Sequence, residues 1–253
     1  MKTIAILILF ASLCAFAQLG LRSPSFAAGL NKHASGPTSP TPDILWWKCN
    51  EGSGTSLAGD GSNGGNGGTT DADWTTGVGS GGALSLNGSN DDAYSTNTIA
   101  YGTNIITASL WLKDWTTTGD PIVIESVTDS NGSDNHTFFV FLSSGVLNVA
   151  IKGVGYTYRD ETITVNTNTL RHLLMVFDNS TTTGDIKIYT NGVESGTTVS
   201  IDTKSASASF TTGEFNLGSR NSGSMFFGGK MDDVRLYSGD RSSDVSAIYS
   251  DPQ

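Results

Sequence analysis

Short segments in which apolar and polar residues alternate recur along most of the chain, and this pattern limits the possible folds strongly. In the segment 106–113, Ile106, Ala108, Leu110 and Leu112 share one side of an extended chain, and Thr107, Ser109, Trp111 and Lys113 share the other. Similar segments lie at 82–88, 136–144, 145–153, 171–179 and 185–195, and residues typical of turns lie near their ends. Only the segment 242–249 has a helical pattern. The sequence therefore predicts an all-β protein, an antiparallel two-sheet jelly-roll sandwich with a short C-terminal helical turn.

The charge balance narrows the class of partner. The chain has 24 acidic and 14 Lys or Arg residues, which gives a formal net charge of −10. This balance argues against nucleic acid and anionic membranes as partners, because both repel an acidic protein. It is compatible with bound cations and with neutral glycans.

The N-terminal region predicts export. Lys2 precedes an apolar run that ends in Ala15-Phe16-Ala17, a cleavage pattern, so residues 1–17 are predicted to be a signal peptide. Residues 18–42 form a predicted Ser/Pro-rich linker, and residues 43–253 form one domain. No other segment is apolar enough to cross a bilayer. We expect a secreted or cell-surface protein. Its single remaining cysteine, Cys49, is expected to be buried, and its neighbours Trp46 and Trp47 are expected to lie in the core.

Six motifs occur in a characteristic order. They are WWKCNEGSGTSLAGDGSNGGNGGT (46–69), GGALSLNGSNDDAYS (81–95), TASLWLK (107–113), RHLLMVFD (171–178), IKIYTNGV (186–193) and GGKMDDVRLYSGDRSSDVSAIY (228–249). Together they resemble the laminin G-like domains of the concanavalin A-like lectin/glucanase superfamily, over nearly all of residues 44–249. The resemblance implies the sandwich fold. It does not imply one function, because this fold carries lectins, adhesion modules, glycosidases and lyases.

Asp232 and Asp233 stand side by side in the last motif. Neighbouring residues of a regular strand face opposite sides, so we expect Asp232 to face the apolar core and Asp233 to face solvent. Asp233 is expected to form a surface ion pair with Arg235, worth about 1 kcal/mol or less. An inward carboxylate needs a cation or hydrogen-bond donors.

The resemblance implies that this inward carboxylate binds a structural calcium ion. Asp232 would be the anchor, with Glu51 or Asp60 and backbone carbonyls near Asn63 or Gly64 as further ligands. The alternative is that Asp232 only accepts hydrogen bonds from amides of the N-terminal turn.

The sequence lacks the catalytic patterns known on this fold. Glucanases of the superfamily carry E-x-D-x-E or E-x-D-x-x-E on one strand, and no such run occurs. Glu125 and Asp129 are four residues apart, but the chain becomes turn-like at Asp129. His136 and His172 lack the partners of a lyase site or a catalytic triad. We therefore predict a protein that is not an enzyme, with an atypical glycosidase or polysaccharide lyase as an alternative.

Since the known catalytic patterns are missing, we predict that the protein acts through a binding surface. A sugar site needs an exposed aromatic plane and a few polar groups, and the predicted non-core side carries Trp111, Lys113, Lys187, Tyr189 and Asn191. These residues are the predicted ligand site, for a glycan or a surface protein. The alternative is that loops cover these aromatic rings. A self-assembling or protein-binding surface protein is a further alternative, and the oligomeric state is left open.

Overall fold

The computed structural model describes residues 38–61, 65–79, 81–116, 119–128, 136–152, 158–165, 168–221 and 223–253. The predicted signal peptide, most of the linker, Asn63, Gly64 and Asp129 lie outside this part of the chain. Within it, no helix combines the length and the apolar character needed to cross a membrane.

Strands dominate the described residues. Their bounds are β1 Leu45–Trp47, β2 Ser56–Leu57, β3 Gly59–Asp60, β4 Gly67–Thr70, β5 Asp73–Thr76, β6 Gly82–Asn87, β7 Asp92–Ser95, β8 Ile99–Thr103, β9 Ile105–Lys113, β10 Ile122–Val127, β11 His136–Ser143, β12 Val146–Lys152, β13 Tyr158–Thr164, β14 Arg171–Asp178, β15 Asp185–Thr190, β16 Val193–Glu194, β17 Thr198–Asp202, β18 Phe210–Leu217 and β19 Gly228–Ser238. A 3₁₀ turn at Ser242–Asp244 leads into one short helix, α1, at Val245–Tyr249.

The strands form two antiparallel sheets. Sheet A has the order β16-β15-β14-β9-β19-β1-β3, with β6 and β5 continuing from β19. Sheet B has the order β17-β13-β12-β11-β10-β18-β7-β4-β2, and β8 also pairs with β18. The predicted two-sheet sandwich with a short C-terminal helix is confirmed.

The core lies between the inner faces of the two sheets. Phe138 of sheet B is at its centre, with its ring 4.8 Å from Phe177 and 5.7 Å from both Tyr101 and Phe210. The apolar side of the segment 106–113 faces this core, as its alternation predicts. Cys49 is buried in the same cluster. Trp47 is also a core residue, but the prediction for Trp46 is wrong, because Trp46 lies on the opposite side of β1 and is partly exposed.

A bulge in β19 changes which residues share a side. Asp232 pairs with Trp111 while Arg235 pairs with Ser109, so β19 holds one extra residue between these pairs. Asp233 has φ +49°, a left-handed conformation that aspartate tolerates better than most residues. The bulge places Asp232, like its partner Trp111, on the outer face of sheet A. The predicted core-facing orientation of Asp232 is therefore wrong.

Candidate functional site

The outer face of sheet A is covered by segments from both ends of the domain. Tyr249 of α1 stacks on Trp111, with ring centroids 5.5 Å apart and an interplanar angle of 25°. Only 2% of Trp111 is exposed. The exposed aromatic plane predicted at Trp111 is therefore absent, because α1 packs over the ring. The sequence pattern predicted the side of the strand on which Trp111 lies, but it did not predict that α1 covers this side.

Two other residues of the predicted ligand site, Tyr189 and Lys187, contact the segment that covers sheet A. Tyr189 packs in a cluster with Val245 and Ile248 of the C-terminal segment. Lys187 Nζ forms an ion pair with Asp240 at 2.7 Å. Asn191 Oδ1 accepts a hydrogen bond from the His172 amide at 2.9 Å. Lys113 is partly exposed at the far end of β9. Trp111, Lys113, Lys187 and Tyr189 lie on the outer face of sheet A, and Asn191 lies in the turn after β15. They do not form an open groove.

Asp233 and Arg235 form a buried ion pair rather than the predicted surface pair. The side chains are 2% and 1% exposed, and the guanidinium makes two bonds to the carboxylate, at 2.7 and 2.8 Å. Arg235 also donates to Ser39 Oγ at 3.0 Å and to the Asp251 carbonyl. Trp46 Nε1 donates to Asp233 at 2.8 Å. This pair joins the segments 38–43 and 250–253 to sheet A.

Asp232 is fully buried beside Val78, a contact that was not predicted from the sequence. Its Oδ2 atom accepts a hydrogen bond from the Val78 amide at 2.6 Å. Its Oδ1 atom has no hydrogen-bond partner among the described residues. Burial raises the pKa of this carboxyl to about 8, against the lowering effect of the Val78 amide. The backbone at Gly77 approaches so closely that a side chain there would meet Asp232 Oδ2.

Glu51 and Asp60, the other side chains of the predicted calcium site, have partners elsewhere. Glu51 Oε1 accepts a hydrogen bond from the Ala58 amide at 2.8 Å, and Asp60 pairs with Lys48 Nζ at 2.6 Å. Both residues are exposed. Among the described residues, no cluster of three or more His, Cys, Asp or Glu side chains suits a metal ion. The unpartnered oxygen of Asp232 still fits a hard cation, provided that backbone carbonyls supply most of the other ligands.

A buried serine and histidine lie together on the outer face of sheet A. Ser109 Oγ and His172 Nε2 are 2.8 Å apart, and both side chains are at most 2% exposed. Burial, aided by the positive charge of Arg235, lowers the pKa of His172 to about 3. His172 Nδ1 has no hydrogen-bond partner in the part of the chain that the structure describes, so no carboxylate orients this imidazole there. The arrangement supports packing rather than nucleophilic catalysis.

The outer face of sheet B carries a partly exposed aromatic pair. Phe139 and Phe141 alternate with core residues of β11, and their rings stack at a centroid distance of 5.6 Å and an angle of 23°. Asn148 and Ala150 are their partners on β12. We call Phe139 and Phe141 the aromatic patch. This patch was not predicted, although the alternation in HTFFVFLS places these two rings opposite Phe138, Val140 and Leu142.

Polar side chains border the aromatic patch. Thr162, the partner of Asn148, and Lys152, at the end of β12, are partly exposed. On the opposite side, Glu125 of β10 lies across from Phe139 and accepts a hydrogen bond from Asn216 Nδ2 at 3.4 Å. A partly exposed apolar surface with hydroxyl and ammonium groups beside it is chemistry that suits a sugar ring.

Comparison with known proteins agrees with this architecture. The family model Laminin_G_3, described as the concanavalin A-like lectin/glucanases superfamily, matches residues 87–245, which is more than half of the chain. No curated protein matched the sequence.

Receptor-binding domains of botulinum neurotoxins are among the solved structures that resemble this one. The type G botulinum neurotoxin domain has a TM-score of 0.58 at 12% identity, over 83% of this chain and 51% of that chain. The C/D mosaic domain has a TM-score of 0.60 at 12% identity, over 82% and 51%. A serotype D domain, solved in complex with N-acetylneuraminic acid, has a TM-score of 0.57 at 14% identity, over 82% and 50%. The chain spans about half the length of these domains, and identities this low show a shared fold alone.

Proposed function

Because the chain belongs to the laminin G-like family of the concanavalin A-like lectin/glucanase superfamily, we propose that it is a secreted, non-catalytic carbohydrate-binding module. Its binding surface is the outer face of sheet B around the aromatic patch. The observation that carries this proposal is the stacked, partly exposed pair Phe139 and Phe141 on a face that also offers Lys152 and Thr162.

Electrostatics favour a neutral glycan as the ligand. The net charge of −10 repels polyanions. Asp160 and Glu214 add carboxylates to the same face of sheet B. One structural neighbour was solved with N-acetylneuraminic acid, so an acidic sugar is the natural comparison. We expect neutral oligosaccharides to bind more tightly than sialylated ones.

A glycan array followed by calorimetry tests the proposal. Phe141→Ala removes half of the aromatic patch, and it is expected to weaken binding by a factor of about 10 or more, the loss of one stacking contact. Trp74→Ala is the matched control, since Trp74 is a partly exposed ring on β5 of sheet A. Equal affinities of the wild type and Phe141→Ala would contradict the proposed surface. Release of reducing ends or unsaturated products from a polysaccharide panel would favour a glycosidase or lyase instead.

We also propose a structural calcium site at Asp232. When bound, calcium would neutralise this buried carboxylate and cross-link the segments that meet it. Asp232 Oδ1 would be its side-chain ligand, and backbone carbonyls near Cys49 and Val78 would complete the site. Calcium should raise the melting temperature of the wild type and leave that of Asp232→Asn unchanged. Identical melting curves in calcium and in chelator would exclude the site.

One observation favours a protein partner as a second candidate function. Val193 and Val199 are 69% and 46% exposed, and they lie on β16 and β17, the edge strands at the same side of both sheets. An exposed strand edge with apolar side chains can pair with another chain. Sedimentation velocity over a range of concentrations tests self-association, and Val199→Lys should abolish any dimer that forms through this edge.

A further inference from the structure

The segment that follows β18 folds back along the start of β10. The Gly218 amide donates to the Val123 carbonyl at 3.0 Å, and the Ile122 amide donates to the Met225 carbonyl at 2.9 Å. Gly218 has φ +81°, which allows the chain to turn sharply at the end of β18. The backbone of this segment is therefore attached to β10 at two points.

Two buried carboxylates of sheet B attach the same segment by their side chains. Asp92 of β7 is 1% exposed, and its Oδ2 atom accepts a hydrogen bond from Ser219 Oγ at 2.8 Å. Glu125 of β10 is fully buried, and its Oε1 atom accepts a hydrogen bond from the Asn221 amide. Both carboxylates belong to the outer face, since Ala93 and Ile124 beside them face the core. Hydrogen bonds to a charged acceptor are among the stronger ones in proteins.

These attachments place the segment next to the aromatic patch. Glu125 lies directly across from Phe139, and Ile122 lies across from Phe141. Residues opposite each other on antiparallel strands have Cα atoms about 5 Å apart. The backbone at Asn221 is thus about one strand away from Phe139, with the partly exposed side chains of Arg220 and Asn221 beside the patch.

We propose that Asp92 and Glu125 are positioning residues, which hold Ser219–Asn221 as a wall along the aromatic patch and thereby set its affinity for an oligosaccharide. This inference rests on the proposed function for its binding step. The wall would give an extended ligand a fixed polar contact from Arg220 and Asn221 while its apolar ring faces lie on Phe139 and Phe141. Neither carboxylate would touch the ligand.

Limited proteolysis of the full chain tests the wall without any ligand. Trypsin cleaves after Arg220 only when this segment opens locally. Loss of one buried hydrogen bond to a carboxylate increases the open fraction about tenfold to a hundredfold. We expect Ser219→Ala and Asp92→Ala to speed this cleavage, identified by mass spectrometry, by about that factor. Asp92→Asn keeps an acceptor for Ser219 and should have a smaller effect, and Ser53→Ala, at an exposed site, should have none.

Binding to the best neutral oligosaccharide of the array is then measured for the same variants. Faster cleavage together with an affinity reduced about tenfold supports the proposal. Unchanged cleavage in Ser219→Ala and Asp92→Ala overturns it, whatever the binding data show. Faster cleavage with unchanged affinity also overturns it, because the wall would then serve no ligand. If the wild type binds no glycan, the proposed function fails, and the attachment of the wall is judged on cleavage alone.

Discussion

The outer faces of the two sheets carry aromatic residues in the same kind of position but bury them differently. Trp111 of sheet A and Phe141 of sheet B both alternate with core residues along a strand. Trp111 lies under Tyr249 and is 2% exposed, whereas Phe141 stays partly exposed beside Phe139. Alternation decides on which side of a sheet a ring lies. A distant segment decides whether that ring is a packing group or a surface for a ligand.

The buried carboxylates of the two outer faces differ in whether they have a partner of opposite charge. On sheet A, Asp233 has a buried partner of opposite charge, Arg235, and the pair binds segments from both ends of the domain. On sheet B, Asp160 is 2% exposed, and its Oδ1 atom has no hydrogen-bond partner in the described residues. A buried charge with a partner is compensated, and removing that partner is strongly destabilising. A buried carboxyl without a partner costs stability that rises with ionisation.

The largest effect is expected at the buried ion pair of sheet A. Arg235→Met leaves the Asp233 carboxylate buried and without its counter-ion, and it also removes the bonds to Ser39 and Asp251. We expect a loss of about 3–5 kcal/mol in the free energy of unfolding, measured by urea denaturation.

Two further variants make this result specific. The double variant Asp233→Asn/Arg235→Met should be more stable than Arg235→Met alone, since no unpaired charge remains. Lys48→Met breaks the exposed pair with Asp60 and should cost less than about 1 kcal/mol. Similar losses for Lys48→Met and Arg235→Met would show that the outer face of sheet A is not the sealed face described.

A smaller effect, dependent on pH, is expected at Asp160 of sheet B. Burial is the main cause that raises its pKa to about 6, against the lowering effect of the Ser200 hydroxyl. The folded state therefore keeps the proton at pH values where the unfolded state, with a pKa of about 4, has lost it. The contribution of Asp160 to stability is complete below about pH 4 and is lost as the pH rises to about 6.

The measurement is urea denaturation of the wild type and Asp160→Asn between pH 4 and pH 8. The wild type should lose on the order of 2–3 kcal/mol relative to the variant between about pH 4 and pH 6, and the difference should stay constant above that. A constant difference over the whole range would mean that the Asp160 carboxyl is hydrated, and that the outer face of sheet B is more open than its burial indicates.

The sequence predicted the strands and their sides well, because a period of two residues depends only on local geometry. It predicted the side of Asp232 incorrectly, because one extra residue in β19, with Asp233 at φ +49°, reverses the alternation. No local sequence pattern indicates that bulge. The burial of Trp111 under Tyr249 could not be predicted from the sequence either, since it depends on a contact between β9 and α1, which are more than 130 residues apart in the chain.

The smallest effect, and the most direct test of the comparison, is expected at Tyr249. Tyr249→Ala removes the ring that stacks on Trp111 and should cost about 2 kcal/mol, less than the loss of a fully buried ring. It should also expose Trp111, so that acrylamide quenches its fluorescence more strongly than in the wild type, a difference that the background variant Trp111→Phe removes. Tyr249→Phe keeps the stacked ring and should behave as the wild type. If Tyr249→Ala gains affinity for a glycan, the face of sheet A around Trp111 and Tyr189 is a binding surface that α1 covers, and the two outer faces differ only in what lies over them.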